Sequence, residues 1–279
     1  MLRSLLQRLK LKSQISRIPA NQRFFTGKGE RLLNYYCNNA CVFGYGTYPN
    51  VAPLNFIPNE TKGLYFYYGS GIKDLLEEIL KLDLIKDLEY LAIGITHNNA
   101  EHYADYSEIS LILSATYFPK LKFLEYGVDE LVANESCIYG NLGDITGVLS
   151  NMPQLEKLYL YGNFRLTAPL NLKFLTHFEV CMDDYILHIN GGKITNHTLQ
   201  QIFVSKLESL VLMSLDLTFN DELYDYLIPD EFLSGGNTPN LELLELMGKF
   251  SVGTKLQIGR SSFKNQQIHI NISELEEPT

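Results

Sequence analysis

The feature that most constrains this chain is a short apolar pattern, L-x-x-L-x-L, that recurs six times along it. The copies are Leu88-Glu-Tyr-Leu91-Ala-Ile93, Leu121-Lys-Phe-Leu124-Glu-Tyr126, Leu155-Glu-Lys-Leu158-Tyr-Leu160, Leu175-Thr-His-Phe178-Glu-Val180, Leu207-Glu-Ser-Leu210-Val-Leu212 and Leu241-Glu-Leu-Leu244-Glu-Leu246. Their first residues are separated by 33, 34, 20, 32 and 34 positions. Spacing this regular marks a repeat, and a unit of this size cannot bury its apolar side until a neighbour stacks on it.

Each unit reads as one strand and a return segment. The first, fourth and sixth positions point inward, and all eighteen residues there are Leu, Ile, Val, Phe or Tyr. Long return segments carry helical spacing. Ile72 to Asp87 places Leu75, Leu76, Ile79, Leu80 and Leu84 on one face, and Glu108 to Tyr117 follows Ser107 as an N-cap. Asp144 caps a short helix through Leu149, and Thr195 or Asn196 caps the one holding Leu199, Ile202 and Phe203. The expected fold is α/β: a leucine-rich-repeat solenoid, a horseshoe with a curved parallel sheet and helices on its convex side.

Three regions follow: a basic N-terminal segment or cap over 1–40, the repeat domain over 41–260, and a C-terminal cap and tail over 261–279. Terminal units of a solenoid are atypical because they must hide an exposed core edge. Val51 to Phe56 and Leu64 to Tyr68 are expected as strands of an N-terminal cap, and Lys255 to Ile258 and Gln267 to Ile272 as irregular last rungs.

A net charge of -9 argues against nucleic acid as the main partner, because phosphate binding needs a basic surface. No apolar run approaches the ~20 residues of a membrane-spanning helix. Cys37, Cys41, Cys137 and Cys181 are too scattered for a disulfide framework and read as reduced thiols of a cytoplasmic protein. The N-terminus is the exception in charge: residues 1–29 hold seven Lys or Arg and no acid before Glu30. Leu2, Leu5, Leu6 and Leu9 share one helical face, with Arg3, Arg8, Lys10 and Lys12 around it. A capping helix or loose tail, an organelle transit peptide of about 25 residues leading to a matrix location, and a membrane-surface contact all fit this segment.

Several groups invite a chemical reading and fail it. His97 and His102 are five apart, not the i, i+4 pair of a helical zinc site. Cys37 and Cys41 have no second close Cys or His pair at a typical distance. Cys181-Met182-Asp183 matches the Cys-x-Asp element of bacterial repeat-linked ubiquitin ligases, but follows a repeat strand directly, without a separate catalytic domain. Gly69-Ser-Gly71 is too short for a phosphate loop, and Asp183-Asp184 and Asp225 lack calcium-loop spacing. No catalytic residue, metal or cofactor is expected.

The informative set comes from strand alternation, which turns the residues flanking the buried fourth and sixth positions toward the concave face. One column holds Tyr90, Phe123, Lys157, His177, Ser209 and Leu243. The next holds Ala92, Glu125, Tyr159, Glu179, Val211 and Glu245, and the third Gly94, Gly127, Tyr161, Cys181, Met213 and Met247. From these columns Tyr90, Phe123, Glu125, Lys157, Tyr159, Tyr161, His177, Glu179, Met213, Glu245 and Met247 form the expected partner-binding set. Aromatics, methionines and a few carboxylates have the makeup of a protein interface. The expectation is a non-catalytic module binding a protein with a basic or amphipathic surface, as an inhibitor or immunity protein for example; the alternative is a structural subunit of a larger assembly, an organellar one if the basic N-terminus is a presequence.

Val51-Ala-Pro-Leu-Asn-Phe56, Leu91-Ala-Ile-Gly94, Gly143-Asp-Ile-Thr-Gly-Val-Leu149, Met152-Pro-Gln-Leu-Glu-Lys-Leu-Tyr-Leu160 and the pair Gly191-Gly192 are similar to stretches of stand-alone bacterial cytoplasmic leucine-rich-repeat proteins. The resemblance covers roughly residues 50–260. It departs from that family where Cys181 to Asn190 separates the glycine pair from its strand, and in having no Trp. It implies a repeat architecture without catalytic residues and transfers no ligand.

Overall fold

In a computed structural model of the chain, the described residues are 23–24, 40–43, 61–68, 72–95, 104–127, 140–181, 194–217, 226–251 and 267–274. They form a mixed α/β structure built on an open parallel sheet. Its strands are β1 (Arg23–Phe24), β2 (Ala40–Phe43), β3 (Gly63–Tyr68), β4 (Tyr90–Ile95), β6 (Phe123–Tyr126), β8 (Lys157–Arg165), β9 (His177–Cys181), β10 (Leu212–Asp216), β11 (Leu243–Phe250) and β12 (Gln267–Glu274). They lie side by side in chain order. Two more strands, β5 (Ala104–Asp105) and β7 (Gly140–Asp144), form a branch that pairs with the second half of β8.

One hydrogen-bond step repeats at the start of the strands. Two successive N–H groups share a single carbonyl of the preceding strand: Lys157 and Glu156 on Lys122, His177 and Thr176 on Glu156, Leu212 and Val211 on Thr176, Leu243 and Glu242 on Val211. A second step repeats just before it. The first leucine of each unit donates to the carbonyl three residues back: Leu88 to Ile85, Leu121 to Phe118, Leu155 to Met152, Leu175 to Leu172, Leu210 to Leu207 and Leu241 to Thr238. The residues whose carbonyls accept, Ile85, Phe118, Met152, Leu172 and Leu207, are buried and apolar, whereas Thr238 fills the same place with a hydroxyl.

These steps correct the register of the fifth unit. Its first position is Leu210, not Leu207, because Leu212 pairs with His177 and Leu243, and Met213 with Phe178 and Leu244. The unit is therefore Leu210-Val-Leu-Met213-Ser-Leu215, with Leu210, Met213 and Leu215 in the core. Two overlapping frames satisfy the same apolar pattern, and the chain uses the one whose strand meets its neighbours' carbonyls.

Helices α1 (Ile72–Ile79), α2 (Ser107–Ser114), α3 (Thr146–Ser150), α4 (Asn196–Phe203) and α5 (Asp230–Leu233) pack on one side of the sheet. Leu76, Ile109, Leu113, Val148, Leu199, Phe203 and Phe232 join the inward strand residues in one apolar core. The helix expected over 72–87 is divided: α1 stops at Ile79, Leu82 is extended (φ -77°, ψ 146°), and a 3-10 turn spans Asp83–Asp87. For α4, Thr195 is the cap, its hydroxyl accepting from Thr198 N at 3.2 Å, while Asn196 Oδ1 accepts from Leu227 N. The helix expected from Glu108 begins at Ser107, whose N–H and hydroxyl both donate to Asp105 Oδ1. The N-cap of α3 is Ile145, without a side-chain cap, and not Asp144 as expected; Asp144, one residue earlier, accepts from Thr146 N at 3.0 Å.

Strand β8 serves two sheets. Lys157 to Tyr161 pair with β9, and Lys157 to Leu160 with β6; from Gly162 on, β8 pairs with β7. The change of partner occurs at glycines. Gly127 (φ 87°) and Gly162 (φ 122°) take positive φ, and a Cβ on either would run into the carbonyl oxygen of Tyr161 or Gly140 respectively. A buried polar knot ties this region together: Ser110 Oγ lies 2.7 Å from Tyr126 Oη and donates to Leu142 O, and Tyr126 Oη lies 3.2 Å from Tyr106 O. Full burial pushes the Tyr126 phenol upward in pKa, so it stays a neutral donor.

Toward the ends, Leu64 to Tyr68 and Gln267 to Ile272 are strands as expected. Strands β1 and β2 extend the same sheet into the region expected as an N-terminal cap. The expected strands at 51–56 and 255–258, the helical segment at 2–12, the histidines His97 and His102, and Asp183, Asp184 and Asp225 lie outside the described residues. No helix among the described residues is long and apolar enough to cross a membrane.

Candidate binding face

Because successive strand residues alternate sides, the positions between the core residues line a second face of the sheet, opposite the helices. The register places them in rows across the strands. The first row runs Tyr90, Phe123, Lys157, His177, Leu212, Leu243. The second runs Ala92, Glu125, Tyr159, Glu179, Ser214, Glu245, and the third includes Tyr161, Cys181, Asp216 and Met247.

The face divides in two by burial. On β4 and β6, Ala92 is fully buried, Phe123 is 2% exposed and Glu125 is 1% exposed. From β8 to β11 the corresponding residues Lys157, Tyr159, Tyr161, His177, Glu179, Cys181, Leu212, Ser214, Asp216, Leu243, Glu245 and Met247 are half-buried, as is Tyr90 on β4. Phe123 and Glu125 are thus not the exposed contacts expected of them. Strand alternation set their side of the sheet correctly, but burial depends on what packs over that side.

Met213 is the third correction. It lies in the core at 0% exposure, and the third-row place expected for it belongs to Asp216. The same shift replaces Ser209 by Leu212 and Val211 by Ser214. Ser209 and Val211 instead line an open groove at the strand-start edge with Pro239, Asn240, Leu241 and Glu242. A signal for this was present in the sequence: Met213, Leu215 and Leu217 alternate with Ser214 and Asp216, as a strand buried on one side requires.

Local contacts shape the half-buried part. Tyr90, Phe123 and Tyr159 form a line of tilted rings, with centroids 5.9 and 5.3 Å apart. Ser214 Oγ donates to Glu245 Oε2 at 3.1 Å, which orients that carboxylate. Thr176 Oγ1 donates to Glu156 O and lies 2.9 Å from His177 Nδ1. A hydroxyl has one hydrogen, so with it committed to the carbonyl the imidazole donates from Nδ1 and offers Nε2 as an acceptor. Burial holds the His177 pKa below its ordinary value, and the Lys157 ammonium acts in the same direction. Three carboxylates, those of Glu179, Asp216 and Glu245, stand on three adjacent strands beside Leu212, Leu243 and Met247. Such a surface can pair with cations and cover apolar side chains. Among the described residues no group of three or more His, Cys, Asp or Glu could hold a metal ion.

No family model, no curated protein and no solved structure matches this chain.

Proposed function

We propose that the chain is a leucine-rich-repeat solenoid acting as a non-catalytic binding module, whose target is a protein with a basic or amphipathic surface. The supporting observation is the second face from β8 to β11. There tyrosines, leucines and a methionine alternate with carboxylates on strands whose opposite side is closed in the core. Side chains carried on a hydrogen-bonded sheet are ordered in advance, so little conformational entropy is lost on association. Carboxylates steer a basic partner and set the salt dependence of the on-rate, while the aromatic and aliphatic residues supply most of the affinity.

The test is capture from native lysate with the full chain, identified by mass spectrometry and repeated with variants. Tyr159→Ala should speed dissociation and cost roughly 2 kcal/mol of affinity. Glu179→Lys with Glu245→Lys should slow association and flatten its salt dependence. Lys73→Ala and Leu111→Ser on the helical side should change neither. If the helical-side changes abolish capture and the face variants leave both rates intact, the binding side is the opposite one.

A further inference from the structure

The strand-start edge of the sheet is closed by charge on the early strands and open on the late ones. Glu89, Lys122, Glu156, Thr176, Val211 and Glu242 stand one residue before the first row of the face. Lys122 Nζ lies 3.1 Å from Glu89 Oε2, and the Glu156 charge acts on it as well. Between β10 and β11 the same places hold Val211 and Glu242, and among the described residues no cation forms an ion pair with Glu242. The open groove lies here. Its volume, about 510 Å³, is within the range of sites that hold whole small ligands, so a single side chain has room to enter.

The polar capacity left in the groove is mainly that of acceptors. The Ser209 hydroxyl donates to Lys173 O at 2.8 Å, which commits its one hydrogen and leaves lone pairs. Asn240 Nδ2 donates to Glu208 O at 2.7 Å. That bond fixes which way the amide is turned, leaving Oδ1 as an acceptor and one amide hydrogen over. Glu242 adds an exposed carboxylate. The N–H groups of Val211, Leu241 and Glu242 are already given to the carbonyls of Thr176, Thr238 and Val211, and Pro239 has none. Neither Lys173 nor Lys206 of the neighbouring turns lines the groove.

We infer that this groove takes an arginine side chain of the partner protein, its guanidinium on Glu242 and Asn240 Oδ1 and its stem over Val211 and Pro239. A guanidinium offers five N–H donors in a planar fork and no acceptor, so it meets a carboxylate and an amide oxygen together, and it sheds water more readily than an ammonium. The inference rests on the face from β8 to β11 being the binding surface proposed above, and it adds the contact that selects the partner. Groove and face are continuous, since Val211 and Glu242 directly precede Leu212 and Leu243 of the first row.

The experiment titrates the full chain, isotope-labelled at its Val and Leu methyls, with acetyl-arginine N-methylamide and with its neutral isostere acetyl-citrulline N-methylamide, followed by NMR. The arginine probe should shift the Val211 and Leu241 methyls to saturation. Citrulline on the unaltered chain, and the arginine probe on Glu242→Gln, should each bind about fivefold more weakly, the size of a favourable exposed ion pair. Glu208→Gln, which removes a nearby carboxylate outside the lining, should change nothing. Shifts that spare Val211 and Leu241, an equal response to citrulline, or a Glu208→Gln loss as large as that of Glu242→Gln would each overturn the inference. Partner capture is measured separately on Glu242→Gln and should fall about fivefold; unchanged capture also overturns it. If capture depends on Tyr159 while the arginine probe fails, the groove is wrong and the binding face stands. If the probe binds and Glu242→Gln lowers capture while Tyr159→Ala does not, the groove stands and the face reading is the one that fails.

Discussion

Exchanging the roles of two adjacent residues gives a sharp test of the register of the fifth unit. Apolar patterning alone assigns Leu212 to the core and Met213 to the open face; strand pairing reverses them. Met213 has no exposed surface and sits in the main core, whereas Leu212 is half-buried. Truncating a fully buried Met to Ala removes its transfer free energy and leaves a cavity, about 3 kcal/mol within the usual range for such changes. Leu212→Ala loses only part of its transfer term and opens no closed cavity, about 1 kcal/mol. At about 2–4 °C per kcal/mol for a chain of this size, melting should fall by roughly 6–12 °C for Met213→Ala and roughly 2–4 °C for Leu212→Ala. Leu210→Ala is the reference, since Leu210 is buried in either frame and should resemble Met213→Ala. Thermal unfolding followed by circular dichroism reads all three. A Leu212→Ala loss equal to or greater than that of Met213→Ala refutes the register.

Thr238 Oγ1 is buried without a hydrogen-bond partner among the described residues, in the place that Met152, Phe118 and Leu207 fill with apolar groups. Thr238→Val should therefore raise stability by about 1 kcal/mol, read as a higher urea midpoint; a lower midpoint would mean that the hydroxyl is satisfied. Gly127→Ala forces a Cβ into the Tyr161 carbonyl at positive φ and should cost roughly 2 kcal/mol or more, whereas Gly236→Ala, with only a side-chain contact at 3.5 Å, should cost far less. Although burial opposes it, hydrogen bonds from Thr146 and the Arg165 charge hold the Asp144 pKa below its ordinary 3.8. A depressed folded-state pKa gives stability that is complete above 3.8 and lost as pH falls through the lower value. Asp144→Asn should thus lower stability at pH 7 and flatten the acid limb below pH 4, measured by denaturation across pH; an unchanged acid limb would exclude this carboxylate from the linkage.

The amino-acid pattern by itself pointed to a mixed α/β chain with a parallel sheet, because apolar residues recur at the first, fourth and sixth positions of successive short segments joined by helix-spaced returns. It located Leu124, Leu158, Leu210 and Leu244 inside, and Thr195 among the caps, since these depend on periodicity and on local side-chain chemistry. The structure alone decided matters that depend on neighbours in space. Around Leu207 to Leu215 two frames three residues apart satisfy the same pattern, and the carbonyls of Thr176 and Val211 select between them by the N–H groups they accept. That choice moved Met213 into the core and brought Asp216 onto the face opposite the helices. The split at Leu82 and the change of partner within β8 likewise answer to packing and to adjacent strands, not to local propensity. Burial of Glu125 is the extreme case: its side of the sheet is readable from parity, but its 1% exposure is not.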